Sequence, residues 1–120
     1  MSIKNINSIG SANVPVGTAT TIQVLISAQE GPHFAMRRFV IQPGGSMPLH
    51  TNTLEHEQYV LIGQAKVQIG EEVLFVKQGD AVFIPEGVPH SYLNNGKGNF
   101  EFLCMIPNQP DEIKLVGEDC

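Results

Sequence analysis

The sequence lacks the features that would place the protein on a nucleic acid, in a membrane or in a disulfide framework. It has no tryptophan and only two cysteines, Cys104 and Cys120, which are too few for such a framework. The formal net charge of −5 argues against nucleic acid or an anionic membrane as a partner. No apolar run approaches the length of a membrane span, and Met1–Gly10 lacks a signal-peptide pattern. We therefore expect a cytoplasmic protein.

The chain has the length of one domain and is rich in strand and turn patterns. Its 120 residues suffice for one buried core, and no window shows a sustained helical period. Short strand-like runs alternate with Gly, Pro and Asn turns. The predicted strands are Thr20–Ser27, Phe34–Ile41, Gln58–Ile62, Ala65–Ile69, Val73–Val76, Ala81–Ile84, His90–Leu93 and Phe100–Ile106. This pattern predicts an all-β sandwich or barrel.

The expected organisation is a single domain over residues 1–120 with three parts. Residues 1–19 form an irregular N-terminal arm, residues 20–107 the barrel core and residues 108–120 a C-terminal tail. The Pro43-Gly44-Gly45 triplet is expected to close the strand Phe34–Ile41. The tail either adds an edge strand around Ile113–Val116 or stays loose.

Metal-ligand residue types are concentrated in the stretch Pro43–Gly63, which contains His50, Asn52 and His56. On a straight strand His50 and His56 would lie roughly 20 Å apart, so the chain must turn back between them if both are to bind one ion. His50 and Asn52, two residues apart, can point to the same face. A second stretch supplies one further histidine, His90. We interpret the two stretches as halves of one site.

These stretches resemble the two motifs of the cupin family. The first motif, G-x5-H-x-H-x3–4-E-x6-G, aligns with Gly44, His50, Asn52, His56 and Gly63. The second, G-x5-P-x-G-x2-H-x3-N, is matched at every position by Gly79, Pro85, Gly87, His90 and Asn94. Asn52 stands where the family usually has its second histidine. His56 stands where it usually has glutamate, as in a subset of small cupins.

The resemblance implies a double-stranded β-helix, the cupin jelly-roll barrel, holding one divalent transition-metal ion. Its ligands would be His50, His56 and His90. Asn52 is either a weak oxygen ligand or a turn residue that bonds nearby backbone. Nitrogen-rich coordination suits Mn, Fe, Co or Ni and also allows Zn or Cu, so the metal is not distinguished. Small cupins are usually homodimers, and a dimer is expected here.

Several further residues are expected around such a site. Arg37 and Arg38 are adjacent on one strand, so one should face the barrel interior, where it could meet a substrate carboxylate. Gln58 shares strand parity with His56 and should line the pocket.

Three other side chains have alternative interpretations or a supporting role. Tyr92 shares its face with His90 and is expected to wall the pocket. Cys104 is either a small buried hydrophobe or a pocket thiol near the metal. Glu57 is either solvated or orients a ligand imidazole.

These residues support a functional hypothesis with two alternatives. We expect a mononuclear metal-binding protein, in the first instance a dioxygenase-type oxidoreductase. Its substrate would be a small anionic or phenolic molecule bound directly to the metal. The alternatives are a non-catalytic binding or sensing module with weak or no metal, and a metal-dependent isomerase or lyase.

Overall fold

The computed structural model describes residues 1–116 of the chain, so Cys120 and the end of the predicted tail lie outside the described residues. This part consists almost entirely of β-strands. The strands are β1 (Ala12–Asn13), β2 (Thr18–Ile26), β3 (Phe34–Asn52), β4 (His56–Ile62), β5 (Gln64–Ile69), β6 (Glu72–Lys77), β7 (Ala81–Ile84), β8 (His90–Leu93), β9 (Phe100–Pro107) and β10 (Ile113–Leu115). A short 3-10 helix, Ile6–Ser8, precedes them. Within residues 1–116 no helix is long and apolar enough to cross a membrane.

All strand pairs are antiparallel, and β3 is the strand on which the others are assembled. The main path runs β6-β5-β8-β3-β9-β4-β7, and β2 and β10 also pair with β3. The first half of β3 pairs with β9 and most of β2, whereas its second half pairs with β8 and β10. Because one strand joins both parts, the sheet curls into a half-barrel. The predicted all-β jelly-roll architecture is confirmed.

The Pro43-Gly44-Gly45 triplet bends β3 but does not end it, which corrects the sequence-based expectation. Gly44 has a φ of +80°, a conformation that favours glycine. The backbone N–H of Gly44 donates to Asn94 O at 3.0 Å, and Asn94 N–H donates to Gly45 O at 3.0 Å. These bonds satisfy the backbone at the bend, so β3 continues through His50 to Asn52.

The N-terminal arm contains short regular segments that attach to the barrel of the same chain. β1 pairs with β2, with Ala12 opposite Ile22. The side-chain amide of Gln23 donates to the carbonyl oxygens of Ile6 and Ile9, both at 2.8 Å. The arm is therefore less irregular than predicted.

The hydrophobic core fills the barrel below the end that carries the histidines. Its centre is an aromatic stack in which Phe102 lies between Phe39 and Tyr92, with ring centroids 5.2 and 5.3 Å away. The edge of Tyr92 meets the His90 ring at a centroid distance of 5.9 Å. The buried core residues are Ile41, Met47, Val60, Ala65, Val67, Val76, Ile84, Tyr92, Phe100, Phe102 and Cys104. The histidine end of the barrel thus packs on the hydrophobic core.

Asn94 is expected to be the polar side chain on which the β3 bend depends most. It is buried, its amide donates to Ile41 O and Gly98 O, and its Oδ1 accepts from Gly96 N–H. Asn94→Ala leaves these backbone groups without partners and should lower the free energy of unfolding by about 2–4 kcal/mol. Urea denaturation measures this, with Ala substitution of the neighbouring exposed Asn95 as control. Equal stability of the two variants would contradict this role.

Candidate metal centre

Three histidines from different parts of the sequence meet at one end of the barrel. β3 carries His50 to the rim, the chain bends over residues 53–55, and β4 begins with His56. The pairing of β3 with β8 sets His50 opposite His90. Ring centroids are 4.2 Å apart for His50 and His90, and 5.7 Å apart for His56 and His90. All three imidazoles are buried, and the predicted reversal between His50 and His56 is present.

Backbone carbonyl groups select the tautomer of two of these imidazoles. His50 Nδ1 lies 2.7 Å from Pro48 O, and His90 Nδ1 lies 2.9 Å from Val88 O. Because a carbonyl oxygen only accepts hydrogen bonds, each Nδ1 carries the proton and each Nε2 keeps its lone pair. Such outer hydrogen bonds are the ones that orient metal-binding histidines.

Three buried atoms at this end of the barrel have no hydrogen-bond partner. They are His56 Nε2, His90 Nε2 and Asn52 Oδ1. Unsatisfied buried polar atoms are rare in folded proteins and call for an explanation, such as an ion. Imidazole nitrogen and amide oxygen are both metal ligands, so the residues present fit a divalent transition metal.

The three histidines do not by themselves form a metal site among the residues that the structure describes. Within residues 1–116, no group of three or more His, Cys, Asp or Glu side chains is placed so that it could hold an ion. Asn52, an amide, falls outside those residue types. Metal binding at this cluster is therefore a proposal, and it requires the imidazoles to close on the ion.

Two of the histidines, His56 and His90, are held in the neutral form that metal binding needs. Burial lowers the pKa of His56 to about 3, with further lowering by the charges of Arg37 and His90. Burial also lowers the pKa of His90 to about 4. Neither ring competes for protons at neutral pH, so the Nε2 lone pairs stay available.

A row of polar side chains crosses the interior beside the histidines. Strand register aligns Arg37 on β3 with Cys104 on β9, and Cys104 with Gln58 on β4. The Arg37 guanidinium donates to Cys104 Sγ at 3.1 Å, and the Gln58 amide donates to Tyr92 Oη at 2.6 Å. Burial raises the pKa of Tyr92 and that of Cys104, so both stay protonated. Arg37, Gln58, Tyr92 and Cys104 thus lie together in the barrel interior.

The neighbouring arginine has a different role. Arg38 points away from the interior, donates to Gln23 Oε1 at 2.6 Å and forms an ion pair with Glu101. Of the two adjacent arginines, Arg37 is therefore the one that faces the barrel interior.

Glu57 lies away from the cluster, which fits the interpretation of a solvated group rather than that of a group that orients an imidazole. It is exposed, whereas His56 and Gln58 on either side of it are buried. With Glu55 and His33 it lines a separate surface cavity of about 410 Å³. A hydrogen bond with Glu55, aided by partial burial, raises the pKa of Glu57 to about 7. Glu57 therefore retains its proton up to about neutral pH on the outside of the barrel.

Sequence reasoning missed Asp111, which lies beside Asn52. The Asn52 amide Nδ2 donates to Asp111 Oδ2 at 3.1 Å, so Asn52 bonds a distant carboxylate rather than nearby backbone. The negative charge of Asp111 also raises the pKa of His56 and of His90, against the effect of burial. Asp111 precedes β10, whose pairing with β3 brings it to the site. The only feature of the sequence that could have pointed to Asp111 is its position as an acidic residue just before the strand-like run Ile113–Val116.

Known proteins resemble this chain over most of its length. The Cupin domain family model matches residues 37–106. The polyketide cyclase RemF from Streptomyces resistomycificus superposes with a TM-score of 0.85 at 28% identity, over 99% of this chain and 89% of RemF.

Two curated relatives differ in how much of their length is matched. The oxalate-binding protein of Thermotoga maritima is 29% identical over 99 residues, 79% of this chain and 82% of that protein. Xanthan biosynthesis protein XanB of Xanthomonas campestris is 32% identical over 78 residues, 64% of this chain. The match spans only 17% of XanB.

The depressed histidine pKa values predict an acid-sensitive metal-free protein. Between about pH 6.5 and pH 4 the unfolded chain takes up protons on His56 and His90 that the folded protein does not bind. The free energy of unfolding should therefore fall as pH falls through this window. Urea denaturation with chelator present measures the slope. His56→Asn should flatten it and His33→Asn should not, whereas parallel profiles would contradict the assignment.

Proposed function

Since this chain belongs to the cupin family, we propose that it binds one divalent transition-metal ion and is a dioxygenase-type oxidoreductase. His50, His56 and His90 are the proposed nitrogen ligands, and Asn52 Oδ1 is the proposed oxygen ligand. The supporting observation is the set of buried ligand atoms without partners in one neutral cluster. A bound divalent ion would supply Lewis-acid polarisation of a substrate oxygen and, if redox-active, a centre for O₂ chemistry.

Arg37 indicates an anionic substrate. It is half-buried beside the site, and its Nε is buried without a partner. In the part of the chain that the structure describes, no carboxylate forms an ion pair with it. A partly buried cation without a counter-ion is costly unless a ligand neutralises it. A small carboxylate or phenolate that reaches both the metal and Arg37 would do so.

The protonation states around the site favour oxidation over proton abstraction. An isomerase or lyase needs a side chain that accepts a proton from the substrate. Tyr92 and Cys104 both have a raised pKa and are protonated, and Glu57 lies outside the barrel. Asp111 already accepts three hydrogen bonds. These observations support the oxidoreductase hypothesis over the isomerase or lyase alternative.

Two similarities support alternative functions. RemF, named a polyketide cyclase, superposes over 99% of this chain, which supports a redox-neutral cyclisation as a second candidate. The Thermotoga maritima relative is named an oxalate-binding protein and is covered over 82% of its length. That similarity supports binding of a small dicarboxylate without turnover.

Metal content per chain tests the proposed centre. Protein purified without chelator should carry about one transition-metal ion, and His56→Ala should lose most of it because a chelating nitrogen is removed. Elemental analysis gives the ratio. His33→Ala, an exposed loop histidine, should keep the parental content. Metal-free parent protein that also takes up none on reconstitution would eliminate the metal centre.

Arg37 provides a test of substrate class. Arg37→Met should weaken binding of oxalate by about 10–100-fold, because one charge-assisted hydrogen-bonded contact is lost, with metal content unchanged. Calorimetric titration of metal-loaded protein measures the affinity. Arg37→Lys keeps the charge but lacks the fork-shaped guanidinium donor. Its oxalate affinity should therefore lie between those of the parent and of Arg37→Met. Equal affinity in all three proteins would contradict an anion contact.

O₂ consumption separates the candidate reactions. Metal-loaded protein should consume O₂ in the presence of a small carboxylate or phenol if it is an oxidoreductase. Binding without O₂ uptake, with or without conversion of the ligand, would instead favour the redox-neutral enzyme or the binding module.

A further inference from the structure

We propose that Asp111 is a positioning residue that converts Asn52 into an oxygen ligand of the metal centre. The proposal rests on the metal site proposed above and extends it to the C-terminal segment. It also gives a physical reason why an asparagine can occupy a position where the first cupin motif usually has histidine.

The two ends of the Asn52 amide have opposite hydrogen-bonding roles. The NH₂ group only donates and the carbonyl oxygen only accepts, so the partner at one end decides where the other end points. Asp111 Oδ2 is a carboxylate oxygen and accepts from Nδ2 at 3.1 Å. The reversed amide would set two acceptors against each other. Oδ1 is therefore directed to the opposite side, where it is buried without a partner.

The backbone of Asn52 is also fixed, which leaves the amide little freedom. Its carbonyl oxygen accepts from Gly87 N–H at 2.8 Å, and Asn52 is paired with Ile113 of β10. Gly87 belongs to the turn that precedes His90. Asn52 is thus hydrogen-bonded to the turn before His90 on one side and to the C-terminal segment on the other.

Asp111 is itself held in place by the bend between His50 and His56. Its Oδ1 accepts from the backbone N–H and from the hydroxyl of Thr53, both at 3.1 Å. The Thr53 hydroxyl in turn accepts from Glu112 N–H at 3.0 Å. Both carboxylate oxygens are therefore used, one for Thr53 and one for Asn52. The C-terminal segment closes over this end of the barrel through these contacts.

A carboxylate behind a ligand also raises the electron density of the ligand atom. Carboxylates that accept from metal-binding imidazoles act this way, and their removal typically costs about 10–100-fold in metal affinity. Here the carboxylate accepts from an amide whose oxygen is buried without a partner. The pair Asn52 and Asp111 would together supply the partial negative charge that a neutral amide alone lacks.

Zn²⁺ affinity, measured by competition with a chromophoric chelator, tests the proposal. Asp111→Ala should weaken Zn²⁺ binding by about 10–100-fold. Asp111→Asn keeps one acceptor oxygen, so its Zn²⁺ affinity should lie between those of Asp111→Ala and the parent. Glu112→Ala is the matched control because it removes the neighbouring exposed carboxylate and leaves the acceptor for Asn52 in place, and its Zn²⁺ affinity should stay within about threefold of the parent. Urea midpoints show whether each variant is folded.

A double-mutant comparison separates positioning from a general structural effect. If Asp111 acts through Asn52, Asp111→Ala should cause no further loss of Zn²⁺ affinity in an Asn52→Ala background. The visible spectrum of Co²⁺-loaded protein should change in Asp111→Ala and stay parental in Glu112→Ala. Equal affinity of parent and Asp111→Ala, or an undiminished loss in the Asn52→Ala background, would overturn the proposal alone. A parent protein that binds no Zn²⁺ would overturn the metal centre as well.

Discussion

Burial of imidazole and amide groups without partners is the constraint on which this end of the protein depends. Each such group costs free energy unless a hydrogen bond or a bound ion compensates it. The chain supplies hydrogen bonds on one side of His50, His90 and Asn52, from Pro48 O, Val88 O and Asp111 respectively. On the other side, His90 Nε2 and Asn52 Oδ1 are unpaired, as is His56 Nε2. Hydrogen bonds on one side therefore orient these side chains, and the atoms on the other side are left without partners.

The scaffold for these groups is β3, a single strand shared by both parts of the sheet. Its bend at Gly44 directs the second half toward β8, which brings His50 opposite His90. The aromatic stack lies beneath the histidines, and burial keeps His56 and His90 neutral. The guanidinium of Arg37 contacts Cys104 in the same interior. The bend at Gly44 and the position of His50 therefore both depend on β3.

Sequence patterns predicted most of the fold and the residue content of the site, and the failures share a physical cause. Alternation and turn residues located the core strands, and motif spacing identified the three histidines that the structure brings together. The continuation of β3 past Pro43 was missed because hydrogen bonds from Asn94, far along the chain, satisfy the bend. Asp111 was missed for the same reason, since only the pairing of β10 with β3 places it beside Asn52. Long-range contacts are invisible to local patterns.

A crystal structure of protein loaded with a single equivalent of Zn²⁺ would show whether three imidazoles and the Asn52 amide form one metal centre. One ion is expected at about 2.0–2.2 Å from the Nε2 atoms of His50, His56 and His90 and from Asn52 Oδ1. A metal centre of these four residues is ruled out if the ion binds elsewhere, or if the four atoms keep the positions that they have without metal.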